Sequence, residues 1–186
     1  MLKSGLNNCW ATPIYKTSIT KEDCESLIQS VMIYENVDKP QSDFDSTTLT
    51  ETIPLLKKVA KEKYTEFFKT AFDIDIEDLD YEFKSWLTGS KGKYSMELHN
   101  HSGAPWVAVF YILAEETDKG GEFIAYDPRS NANRGFSDEF KFMFNPIDFL
   151  PKTGDVIIMP GFVYHAVRLY DSSLRLAIPV DLFIQD

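Results

Sequence analysis

Cysteine is scarce in this chain of 186 residues: Cys9 and Cys24 are the two it has. Two thiols cannot build a disulfide framework, so the fold must rest on its apolar core, and reduced thiols point to the cytoplasm. Long hydrophobic runs are missing as well. No stretch approaches the ~20 apolar residues that cross a bilayer, and the opening segment Met1–Asn8 lacks the apolar centre of a secretion signal. Positive charge is in deficit: 19 Lys+Arg stand against 29 Asp+Glu, a formal net charge of −10. So acidic a surface repels phosphate backbones and argues against a nucleic-acid partner. Repeats, low-complexity tracts and linkers are absent too. That leaves one domain, residues 1–186, of ordinary globular composition, 44% hydrophobic and 26% charged. Aromatics are plentiful, with 14 Phe and 9 Tyr, a bias that favours strands over a helical bundle.

The hydrophobic period changes near residue 75, dividing the domain into a helical flank (1–75) and a sheet core (76–186). In the flank, Thr20-Lys21-Glu22-Asp23 has the form of a capping box, and Cys24, Leu27, Ile28, Val31 and Met32 follow at helical spacing. A second helix is predicted from about 51 to 72, with Ile53, Leu56, Val59, Ala60, Phe67, Phe68 and Ala71 as its apolar stripe. Beyond residue 75 the alternation predicts strands at about 81–87, 93–101, 106–113, 121–126, 139–144, 155–159, 163–170 and 174–184. Gly120-Gly121, Pro151, Gly154, Pro160-Gly161 and Asp171-Ser172 supply the breaks. Many short strands at this spacing form a sandwich or barrel, and the two helices can cover one face. Residues 129–138 make a polar loop of the kind that borders binding sites.

The chain has three histidines. His99 and His101 stand two apart in a strand-like segment, where alternate side chains share a face, and Glu97 shares that spacing. His165 belongs to a distant segment. Two ligands from one strand and one from another make a metal site suited to iron, zinc, copper or nickel. Arg175 follows in Leu174-Arg175-Leu176. A hairpin turn at Tyr170 to Ser172 would place it across from His165 to Val167. An arginine buried there needs a carboxylate, from an internal acid or a small ligand.

Taken together, several segments carry a resemblance: Trp10-Ala11-Thr12-Pro13-Ile14-Tyr15, Ser85-Trp86, His99-Asn100-His101-Ser102-Gly103, Val109-Phe110-Tyr111-Ile112, Gly120-Gly121-Glu122-Phe123, Tyr126-Asp127-Pro128-Arg129, Lys152-Thr153-Gly154-Asp155, and His165 followed by Arg175. Their order resembles the iron(II)/2-oxoglutarate-dependent dioxygenases, in particular a small branch found in bacteria and phages. The resemblance implies a double-stranded β-helix, or jelly roll, mainly β although α+β by count. It implies Fe(II) and 2-oxoglutarate as cofactors, and hydroxylation of a small molecule or protein side chain as the reaction. His99, His101 and His165 would be the metal ligands. Arg175 would anchor the far carboxylate of 2-oxoglutarate, and Tyr111 would either assist it or pack in the core beside Phe110. Arg129 would contact substrate or be solvated. Most members carry His-x-Asp or His-x-Glu where this chain has His-x-His. An Asp at position 101 would recreate the commoner set, and Glu97 is an alternative carboxylate ligand or a partner orienting His99.

Two rival readings fit the same histidines. A cupin-type metalloenzyme without 2-oxoglutarate also uses His-x-His and a later Pro-x-Gly before a histidine, but has no need of Arg175 or Tyr111. A non-enzymatic jelly-roll binding module would hold no metal.

Overall fold

The computed structural model describes residues 11–33, 48–114, 120–129 and 145–185. In the flank, α1 (Lys21–Val31) starts at the expected capping box: the Asp23 backbone N–H donates to Thr20 Oγ1 at 3.0 Å, and the Thr20 backbone N–H donates back to Asp23 Oδ2 at 3.3 Å. Its stripe buries Cys24, Leu27 and Val31. The second predicted helix is two helices, α2 (Leu49–Thr52) and α3 (Pro54–Phe72). Pro54 has no N–H to continue a ladder and suits the first position of a new helix, so the chain breaks at Ile53. α3 buries Leu56, Val59, Ala60, Phe67 and Phe68, and also Tyr64, which falls on the same stripe and donates its hydroxyl to Val180 O at 2.7 Å. Ala71 is exposed.

The flank is not purely helical. Its residues Tyr15–Ser18 form β1, which pairs antiparallel with β7 (Asp155–Pro160). The other strands are β2 (Tyr81–Ser85), β3 (Thr88–His99), β4 (Trp106–Leu113), β5 (Phe123–Ala125), β6 (Ile147–Phe149) and β8 (His165–Ile184). β6 was not expected from the pattern, and the predicted strand at 139–144 lies outside the described residues, as do Cys9 and most of the polar loop.

β8 organises the sheet. One of its edges pairs with β3 and then β2, the other with β5 and then β4, and β7 and β1 continue beyond β4. The predicted hairpin turn at Tyr170 to Ser172 does not form. Lys93 and Gly92 of β3 hold Asp171 and Ser172 in the ladder, so the chain stays extended and Arg175 lies on the same strand as His165. Register shifts between Ser90 and Gly92, Tyr94 and Met96, and Met96 and His99 bend this ladder. The antiparallel sheet curls on itself as a jelly roll.

Alternation along the central strands makes two cores. Ala108, Phe110, Ile112, Val156, Ile158, Ile178 and Val180 face the helices, joined by Leu27, Leu56, Tyr64 and Phe67. Val107, Val109, Tyr111, Ile157, Met159 and Ala177 face the inside of the roll with Phe123. The helices therefore seal one face, and the concave face is left for a cavity.

Candidate metal centre

That cavity measures about 610 Å³ and is lined by residues that include His99, His101, His165, Tyr111, Arg175 and Asp181. His99 ends β3 and His165 begins β8, and the two are register partners. His101 lies beyond the strand, in a turn, so the expected strand through 101 stops at His99 and same-face alternation is not what brings the two together. His101 is held instead from the β7–β8 connection: its N–H donates to Gly161 O at 2.9 Å, and Gly161 N–H donates to Pro105 O at 3.0 Å. A Cβ at Gly161 would lie 2.0 Å from Ala104 O, so only glycine lets these two loops close.

One ring nitrogen from each histidine lies within 4.8 Å of the other two. In every ring Nδ1 faces an oxygen that can only accept. His99 Nδ1–H donates to Glu97 O at 2.8 Å, His101 Nδ1–H to Asp181 Oδ1 at 2.7 Å, and His165 Nδ1–H to Val163 O at 3.0 Å. The proton thus sits on Nδ1 and leaves Nε2 as the atom that could bind a metal in all three. Burial pushes His165 down to about 3, with His99 adding to the shift, and burial also lowers His99. Neutral rings with free Nε2 lone pairs are what a divalent metal requires. Phe123 stacks on His165 at 5.2 Å and Trp86 on His101 at 5.5 Å, which limits ring rotation.

Glu97 is exposed, and the irregularity between Met96 and His99 breaks its two-residue relation to His99. Its backbone carbonyl, rather than its carboxylate, meets the His99 ring.

Further inside, Arg175 is buried between Tyr111 and Tyr170, its guanidinium carbon 5.2 Å and 4.6 Å from their ring centres. Its Nη1 donates to Gly121 O at 2.9 Å, while Nη2 is buried without a hydrogen-bond partner. An unsatisfied buried donor costs about 1–3 kcal/mol, so Nη2 is the atom a carboxylate would meet. Gly121, at φ +82°, makes room for it: a Cβ there would lie 2.8 Å from Nη1. Tyr111 is on the cavity side of β4, opposite Phe110. Burial pushes its phenol well up, against a smaller downward pull from Arg175, and leaves the hydroxyl protonated. Tyr170 and Ser90 share a hydroxyl–hydroxyl hydrogen bond beside it. Arg129 is exposed and ion-paired with Asp127, Nη2 to Oδ2 at 2.5 Å, and does not line the cavity.

A family model described as "Putative 2OG-Fe(II) oxygenase" matches residues 84–181. The chain belongs to this family. A search of curated proteins found no match. Among solved structures, the chain is similar to a viral collagen prolyl hydroxylase of Paramecium bursaria Chlorella virus-1 in complex with 2-oxoglutarate (16% identity, 91% of this chain and 94% of that one, TM-score 0.59). It is also similar to HygX of Streptomyces hygroscopicus with nickel and 2-oxoglutarate bound (12%, 92% and 82%, TM-score 0.62). An oxidoreductase of the 2OG-Fe(II) oxygenase family from Burkholderia pseudomallei matches over 78% of this chain at 18% identity and TM-score 0.52. The chain spans 64% of the length of that protein. At these identities the likeness is one of fold, the oxygenase jelly roll.

Asp181 and Tyr170 are among the cavity residues that escape the sequence reading. Asp181 gives a signal: it is the one charge in the apolar run Leu176–Phe183. Tyr170 gives none, because the extra β8 residue that turns it inward cannot be seen in the alternation.

Proposed function

We propose that the protein is a non-haem Fe(II)- and 2-oxoglutarate-dependent dioxygenase that hydroxylates a small molecule or a protein side chain. His99, His101 and His165 hold the iron, and Arg175 with Tyr111 holds the far carboxylate of 2-oxoglutarate. One observation carries this reading: three ring nitrogens within 4.8 Å share a cavity with a buried guanidinium that has an unpartnered Nη2. A cupin-type enzyme has no use for that arginine.

His99, His101 and His165 would hold the iron, and three protein ligands would leave it room for cosubstrate and dioxygen. Together these supply the oxidation, one oxygen atom going to a substrate C–H bond and the other to succinate as 2-oxoglutarate loses carbon dioxide. The chain's own work is positioning. Arg175 presents Nη2 to the carboxylate while Gly121 O fixes its other arm. Tyr111 stays protonated and can donate to the same group. Phe123 and Trp86 pack on the ligand rings and keep water from them.

The core shared by the helices and the sheet supports one domain over residues 1–186. A cytoplasmic location rests on the free, buried thiol of Cys24. No helix among the described residues is long and apolar enough to cross a membrane. The net charge of −10 disfavours nucleic acid as a partner.

The test is iron-dependent formation of succinate from 2-oxoglutarate, with iron stoichiometry measured in His99→Ala and His165→Ala. Both variants should lose stoichiometric iron and turnover. Unchanged iron content in either would refute the ligand assignment.

A further inference from the structure

Asp181 is a buried acid to which the oxygenase reading gives no role. It sits on β8, near the β2 end, and lines the metal cavity with its carboxylate 2.7 Å from His101 Nδ1. Relative exposures are 7% for Asp181 and 8% for His101, so neither is solvated by bulk water. Among the described residues no lysine or arginine meets the carboxylate, and the histidine is its one ion-pair partner. His101 is confined on its other sides, its main chain by Gly161 and its ring by stacking against Trp86 and His165. A carboxylate that only accepts therefore decides which ring nitrogen faces the cavity.

We propose that Asp181 is a positioning residue of the metal centre. It holds His101 with Nδ1–H donated to the carboxylate and Nε2 turned to the metal, and it supplies from outside the ligand shell the negative charge that His-x-Asp members of the family carry on the ligand itself. The inference rests on the three-histidine reading. The chemistry is general: a carboxylate behind a ligating imidazole fixes its tautomer and raises its basicity, and its loss costs about 10–100-fold in metal affinity. Here it also offsets the departure of this chain from the commoner ligand set. The three neutral imidazoles and one adjacent carboxylate together carry the same charge as two histidines and a ligating carboxylate.

The experiment is titration of Co(II), with its visible absorption as readout, into metal-free wild type, Asp181→Ala and Asp181→Asn, alongside thermal melts of the metal-free proteins. Asp181→Ala should bind Co(II) about 10–100-fold more weakly and with an altered spectrum. Asp181→Asn keeps an acceptor for Nδ1–H and loses the charge, so its affinity should fall between the two. A residue that merely packed would lower the melting temperature and leave the cobalt spectrum unchanged. Wild-type affinity and spectrum in Asp181→Ala overturn the proposal. Should that variant not fold, wild-type affinity in Asp181→Asn overturns it equally. If wild type itself binds no Co(II), the three-histidine reading falls as well, which separates the two failures.

Discussion

Burial sets the protonation of His165, and with it a pH dependence of the metal-free protein. Its folded value near 3 lies below the ordinary 6.5, and His99 moves in the same direction. Between these limits the unfolded chain binds protons that the folded rings refuse. The stability that His165 contributes is therefore fully present above pH 6.5 and is lost as the pH falls towards 3, by at most about 1.4 kcal/mol per pH unit, and His99 acts in the same direction. Urea unfolding at a series of pH values should show this slope in the metal-free protein, and His165→Asn should flatten it. An unchanged slope in that variant would mean that other groups carry the acid sensitivity. Position 101 holds the residue-scale surprise. An Asp there recreates the commoner ligand pair on paper, but Asp181 would face it as a second carboxylate. His101→Asp should bind Fe(II) more weakly than wild type, and His101→Asp/Asp181→Asn should recover affinity; calorimetric titration of both variants measures this directly. Equal affinity in the single and double variants would show that the two positions are not coupled.

At the scale of elements, two glycines let the loops and strands close on the site. At Gly161, a Cβ would strike the backbone of the turn that carries His101, 2.0 Å from Ala104 O and 3.0 Å from His101 O. Gly161→Ala should cost about 1–3 kcal/mol of stability and displace His101, lowering iron stoichiometry. At Gly121 the neighbour is instead the Arg175 guanidinium. Gly121→Ala should weaken 2-oxoglutarate binding while iron binding stays as in wild type, and titrations of each ligand separate the two effects. If Gly121→Ala loses iron rather than cosubstrate affinity, the placement of Arg175 in the cosubstrate pocket is wrong. Much of this level was legible in the sequence. The α1 capping box, the strand at Trp106–Leu113 and the Pro-Gly before His165 follow from local rules that tertiary contacts left intact. The misreadings have a common physical source. Asp171-Ser172 looks like a turn because those residue types favour turns, yet pairing with Lys93 and Gly92 keeps them extended. His99 and His101 look like alternate residues of one strand, yet the ladder ends at His99 and a loop completes the approach. Bulges shift which residues face inward, and nothing in an alternation pattern records them.

The whole molecule divides into a sealed face and an open one. α3 seals the outer face through Phe67, which packs against Tyr15, Phe68, Phe72 and Trp106. Phe67→Ala should destabilise the fold by about 3–5 kcal/mol in chemical denaturation and leave the iron stoichiometry of the folded protein intact, because the histidines lie on the concave side. The open face holds the three histidines and Arg175 in one cavity, and an oxygenase needs both occupied together. Anaerobic titration of 2-oxoglutarate into the Fe(II)-loaded protein, followed by the visible metal-to-ligand charge-transfer band, measures that joint occupancy. Losing one partner of a buried ion pair costs about 3–5 kcal/mol, or roughly two to four orders of magnitude in affinity. Wild type should develop a saturable band, and Arg175→Ala should need roughly two to four orders of magnitude more 2-oxoglutarate to reach it. No band in wild type, or the same titration curve in both proteins, would contradict the assignment of this cavity to iron and 2-oxoglutarate.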